Sequence, residues 1–130
     1  MEVRMDLAQI VISETQDPQL IILRERDGER ALPIVIGLPE AMAIDRRVKG
    51  HQAQRPLTHD LLANVIDSLS AELEKIVIND LREHTFYAKL VVRQNGEVFE
   101  IDSRPSDAIA LGVATEVPIY VEERVLREIE

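Results

Sequence analysis

Apolar and polar residues alternate along the first part of the chain. Val3, Met5 and Leu7 are followed, after a change of phase near Ala8-Gln9, by Ile10 and Ile12. Period-2 alternation predicts a half-buried strand over residues 2–14, and the phase change predicts an irregularity inside it. Thr15-Gln16-Asp17-Pro18 reads as a turn, and Leu20 to Leu23 as the centre of a second strand over 19–26. Asp27-Gly28 is a hairpin signal. The return strand carries Leu32, Ile34 and Ile36 around Pro33, which suits an edge or a bulge because proline has no N–H to give. Gly37-Leu38-Pro39 breaks it. Glu40-Ala41-Met42-Ala43-Ile44 then starts a short helix that ends by Gly50.

After a polar loop over 50–57 the period changes to that of a helix. Leu61, Leu62, Val65, Ile66 and Leu69 fall on one stripe, with Asp60, Asn64 and Asp67 opposite. The helix is expected from Thr58, as N-cap, to about Ala71. Residues 73–82 and 85–93 read as strands, the second with Phe86, Ala88, Leu90 and Val92 on one side. Asn95-Gly96 turns the chain into a strand from Val98 to Ile101. A helix from Arg104 to Ala114, a short strand over 118–121 and a terminal helix from 122 complete the pattern. Hairpins interrupted by helices imply one α+β domain over 1–130, with an antiparallel or mixed sheet and three to four helices. An internal echo is visible. Asp27-Gly28-Glu29, a strand and Glu40-Ala41 parallel Asn95-Gly96-Glu97, a strand and Asp107-Ala108.

Composition narrows the picture. No run approaches the roughly 20 apolar residues of a membrane span, and charges at Glu2, Arg4 and Asp6 interrupt the apolar run of a leader peptide. A cytoplasmic setting is the default expectation. There is no cysteine, so disulfide and thiolate chemistry are excluded. Acidic side chains outnumber basic ones by 24 to 15, a net charge of -9. That opposes non-specific coating of nucleic acid and predicts weak or selective contact with DNA or RNA. Two phenylalanines and two tyrosines offer little for stacking bases.

Candidate chemistry gathers at two helix starts. Arg55-Pro56-Leu57-Thr58-His59-Asp60 and Asp102-Ser103-Arg104-Pro105-Ser106-Asp107 each set an Arg-Pro pair before hydroxyl and acidic residues. Helix N-termini attract anions, and a guanidinium fork matches phosphate. Arg55, Arg104, Thr58 and Ser106 are therefore candidate substrate-binding groups. His59, Asp60 and Asp107 are candidate catalytic residues, with His59 as general base. Asp60, Asp102, Asp107 and Glu40 are candidate hard-oxygen ligands for Mg²⁺ or Mn²⁺. Each has a plainer reading: a cap, an acid favouring the helix dipole, an ion pair locking a loop, or a satisfied half-buried histidine. Arg46, Arg47 and Lys49 read as a solvated basic face.

Leu32-Pro33-Ile34-Val35-Ile36-Gly37, Arg55 to Leu62, Phe86-Tyr87-Ala88 and Ile101 to Leu111 together resemble the bifunctional nuclease domain family. The resemblance covers nearly the whole chain. It implies an α+β fold, nuclease action on DNA and RNA, and homo-oligomers, a dimer being the simplest. Some relatives carry a C-terminal segment resembling the UvrB–UvrC interaction motif, and none is expected before Glu130. The alternative is a non-enzymatic oligomeric or regulatory module, in which the arginine–carboxylate strings are structural locks.

Overall fold

The computed structural model describes residues 1–13, 15 and 18–129. The expected turn over 15–18 lies largely outside the described residues. The described residues form one mixed sheet of seven strands with four helices, an α+β architecture. In order these are β1 (Glu2–Val11), β2 (Gln19–Glu25), β3 (Ala31–Ile36), α1 (Leu38–Val48), α2 (Thr58–Ser68), β4 (Glu72–Arg82), β5 (Thr85–Gln94), β6 (Glu97–Ser103), α3 (Pro105–Gly112), β7 (Ile119–Glu122) and α4 (Glu123–Glu128). A 3-10 turn, Val113–Thr115, extends α3.

The irregularity expected near Ala8-Gln9 is a register shift between Leu7 and Gln9 against β2. Pro33 sits on β3, an edge strand, paired with Ile22. An edge tolerates it because no neighbour waits for its N–H. Asn95 and Gly96 both take positive φ, 52° and 80°, as a tight hairpin between twisted strands requires.

The sheet order is β3-β2-β1-β7-β4-β5-β6. β7 is antiparallel to β1 and parallel to β4, so β1 and β4 run in opposite directions. The two meanders β1–β3 and β4–β6 are therefore related by a pseudo-two-fold axis through β7, and each is followed by a helix. This is the three-dimensional form of the echo read in the sequence.

The core packs one sheet face against the helices: Met5, Ile21, Leu23, Ile76, Ile78 and Ile109 are all fully buried. α3 lies deepest, with every residue but Asp107 buried. Small residues let it approach β4. A Cβ on Gly112 would stand 2.6 Å from Ile76 Cδ1 and 3.2 Å from Val117 Cβ. α2 is the opposite case. None of its residues is buried, and its apolar stripe, which the pattern reads as a core face, is largely open to solvent.

Candidate active site

α1, α2 and α3 each place a carboxylate at the third helical position: Glu40, Asp60 and Asp107. An acid there lies over unpaired N–H groups and the positive end of the dipole. The packing of α2 and α1 against α3 then decides which of these acids meet other chemistry.

The two Arg-Pro stretches do converge. His59, second residue of α2, brings Nε2 to 3.0 Å from Asp107 Oδ1. Arg104, the N-cap of α3, donates from Nε to Asp107 Oδ2 at 2.8 Å and from Nη2 to Oδ1 at 3.1 Å. Its Nη1 stands 3.9 Å from Glu40, too far for a hydrogen bond. Burial pushes the Asp107 carboxyl up, but the bonds from Arg104 and His59 outweigh it and hold the group below its ordinary range. An ionised Asp107 only accepts, so the bond places a proton on His59 Nε2. Among the described residues Nδ1 has no hydrogen-bond partner.

This cluster separates two hollows. One, of about 400 Å³, is lined by Glu40, Arg46, Thr58, His59, Arg104 and Asp107. The other is a groove of about 850 Å³ whose walls are the α2 stripe and the apolar residues of β5 and β6. Arg46 forms no ion pair among the described residues, so a second cation faces the small hollow with Arg104. The sequence reading set Arg46 on a solvated face, and nothing in its local pattern signals otherwise.

The remaining candidates stand elsewhere. Asp60 has both oxygens engaged: Oδ2 accepts from the Leu57 N–H at 3.1 Å, and Oδ1 pairs closely with Arg47. Leu57, not Thr58, is the N-cap, and Thr58 makes no capping bond. The physical reason is that Asp60 reaches back from the third position to the cap N–H, half of a capping box, without a hydroxyl. Asp102 is exposed on the groove rim. Ser106 is 6% exposed and faces a third hollow, with His84 and Phe86. Arg55 is exposed in the loop before α2 and touches none of these groups among the described residues. No three imidazole or carboxylate groups gather as a metal site among the described residues. Asp60 and Asp107, held by arginines, do not fit a ready-made ligand set.

Arg47 departs most from its reading. Its side chain is 11% exposed. Nε donates to Ala110 O at 2.6 Å and Nη2 to Leu111 O at 3.2 Å, while Nη1 serves Asp60. It thereby ties α1, α2 and α3 together. One signal was present: Ala41, Ile44 and Arg47 recur every three residues, so Arg47 falls on the buried stripe of α1.

A family model for the bifunctional nuclease domain matches residues 21–130. An uncharacterised protein of Mycobacterium tuberculosis is 43% identical over 119 residues, covering 92% of this chain and 71% of the relative. Bifunctional nuclease 2 of Oryza sativa is 30% identical over 114 residues, 85% of this chain but 35% of the relative. Bifunctional nuclease 1 of Arabidopsis thaliana is 26% identical over 105 residues, 78% of this chain and 32% of the relative. The chain thus spans about a third of each plant protein. No helix among the described residues is long and apolar enough to cross a membrane. With the match running from β2 to the last helix, through both Arg-Pro helix starts, the chain belongs to the bifunctional nuclease domain family.

Proposed function

We propose that the chain hydrolyses phosphodiester bonds of DNA or RNA at the His59–Asp107–Arg104 cluster. The observation that carries this reading is the meeting of a base, its orienting carboxylate and a guanidinium beside one small open hollow. His59 Nδ1 takes a proton from a water as the water oxygen bonds to phosphorus. The imidazolium then returns that proton to the oxygen that leaves. Asp107 fixes the ring and stabilises its positive charge. Arg104 Nη1 and Arg46 face the phosphoryl oxygens and offset the charge that builds there. The Thr58 hydroxyl on the rim adds a donor. Asp60 acts through Arg47 as a positioning residue.

The names of the plant relatives support the substrate class. The net charge of -9 supports weak, local contact rather than a long electrostatic track. Mg²⁺ or Mn²⁺ enters as a variable of the assay, since among the described residues no three imidazole or carboxylate groups gather as a ligand set.

The test is cleavage of labelled single-stranded DNA and RNA, with and without each metal, by the wild type, His59→Ala, Asp107→Asn and Arg104→Lys. Loss of the general base or its orienting acid is expected to lower kcat about a hundredfold or more, with far-UV circular dichroism unchanged. Arg104→Lys is expected to lower kcat/KM, since an ammonium cannot hold Asp107 and a phosphate as a fork does. Cleavage that is equal in all four proteins would be a contaminant's, and the cluster would then be a structural lock in a non-enzymatic module.

A further inference from the structure

Ser106 is 6% exposed, and its hydroxyl has no hydrogen-bond partner among the described residues. The part of it that solvent reaches lines the third hollow, of about 420 Å³. This hollow meets the apolar groove only at Arg104, and it shares Arg104 and Glu40 with the small hollow beside His59. We infer that it binds the phosphoryl group of a nucleotide, with the nucleoside against its apolar wall. That this nucleotide adjoins the scissile phosphate of a strand rests on the hydrolase reading above; the site itself does not.

Three kinds of donor converge there. The pseudo-two-fold axis brings the N-termini of α1 and α3 to the same hollow, α1 through Gly37 and Glu40, α3 through Pro105 and Ser106. In α3 the first bond runs from Ala108 N to Arg104 O, and Pro105 has no N–H. The N–H groups of Ser106 and Asp107 are therefore open, with no side-chain cap. The Asp107 carboxylate turns to Arg104 and His59 instead. α1 also lacks a side-chain cap. Helix starts of this kind draw anions. The Ser106 hydroxyl is the second donor. Arg104 is the third, since Nε and Nη2 serve Asp107 while Nη1 makes no hydrogen bond among the described residues.

Glu40 opposes a bare anion here. Its carboxylate accepts from a hydroxyl or amino group, which the sugar and base of a nucleotide carry. Pro33, Val35 and Phe86 supply the apolar wall. The volume falls within the roughly 300–1,000 Å³ of small-molecule sites.

The turn between β4 and β5 is an independent sign. Glu83 and His84 join these strands, both at positive φ, 47° and 67°. A two-residue hairpin favours Asn-Gly at such positions, as this chain uses at Asn95-Gly96, because a side chain is strained there. His84 nevertheless stands at the second position and lines the hollow. Among the described residues it makes no hydrogen bond or ion pair that offsets the strain. A residue kept in such a conformation points to a ligand.

Isothermal titration of the whole chain with a nucleoside 5′-monophosphate, and with inorganic phosphate, tests this. The wild type is expected to bind the mononucleotide saturably in the millimolar range or below, and inorganic phosphate more weakly. Ser106→Ala and His84→Gly are each expected to weaken the mononucleotide about fivefold or more. His84→Gly is also expected to hold or raise the urea midpoint, since glycine relieves the positive φ; a residue of structural role alone would lower it. His59→Ala is expected to keep binding, since His59 does not line this hollow. Absence of saturable binding would overturn the site. So would binding that is lost in His59→Ala yet unchanged in Ser106→Ala and His84→Gly, which would put the ligand at the catalytic cluster. A His84→Gly chain that binds normally and is less stable would overturn the role given to His84. The mononucleotide is expected to compete with strand cleavage; binding without competition would overturn only its place as a strand neighbour. Binding with no cleavage by the wild type would count against the hydrolase reading alone.

Discussion

Replacing Arg47 by methionine isolates what one half-buried cation does for this fold. Methionine retains the reach of the stem and its apolar packing but removes every donor. The loss falls on three acceptors. Ala110 O and Leu111 O belong to the last turn of α3, where the α-helical ladder leaves carbonyls open, and Arg47 donates to both. The third is Asp60, which also holds the N-terminus of α2. Asp60 is 37% exposed and regains water, so its share is small. The two carbonyls lie under a buried helix. Leaving a buried acceptor unmet costs about 1–3 kcal/mol, so a total of about 2–6 kcal/mol is expected for the two. For a domain of this size that lowers Tm by roughly 10 °C or more.

Urea unfolding followed by circular dichroism measures the loss. Arg47→Lys is expected to recover less than half of it, because one ammonium cannot span carbonyls and carboxylate as the guanidinium fork does. A double-mutant cycle with Asp60→Asn is expected to show a coupling of about 0.5–1 kcal/mol. Because α2 and α3 would loosen against each other, His59 and Asp107 would part, and kcat is expected to fall while the substrate is still bound. A stability change below about 0.5 kcal/mol for Arg47→Met would refute the view that this residue holds the three helices together.

Two further outcomes are expected. Gly112→Ala places a methyl against fully buried Ile76 and beside Val117, and is expected to destabilise the protein by about 1–3 kcal/mol in urea unfolding; an unchanged midpoint would show that Ile76 yields freely. Acid is expected to weaken the fold: Arg30 holds Glu25 and Glu123 below their ordinary range, Arg82 and Arg124 do so for Asp80, and Asp107 is lowered against its burial. Carboxyls depressed in the folded state contribute stability that is complete above their unfolded values, near 4, and is lost as pH falls through the folded ones. Urea midpoints are expected to stay level from pH 7 to about pH 5 and to drop below about pH 4; a profile flat to pH 2.5 would refute it.

The elements of this protein are legible in its sequence because what defines them is local. Alternation in β1, its change of phase at Ala8-Gln9, the turns at Asp27-Gly28 and Asn95-Gly96, and the proline that opens α3 act within a few residues. So does the acid at the third position of α1, α2 and α3. The two Arg-Pro stretches could be recognised as chemically dense, but not as neighbours. Three facts belong to the tertiary structure alone. β7 threads between β1 and β4, since strand pairing across the sheet leaves no mark in either strand. Asp60 and Asp107, alike in the sequence, diverge because packing of α1 and α2 against α3 delivers Arg47 to one and His59 to the other. The α2 stripe remains open: periodicity shows that a helix has an apolar face, and only the arrangement of its neighbours determines whether anything covers it.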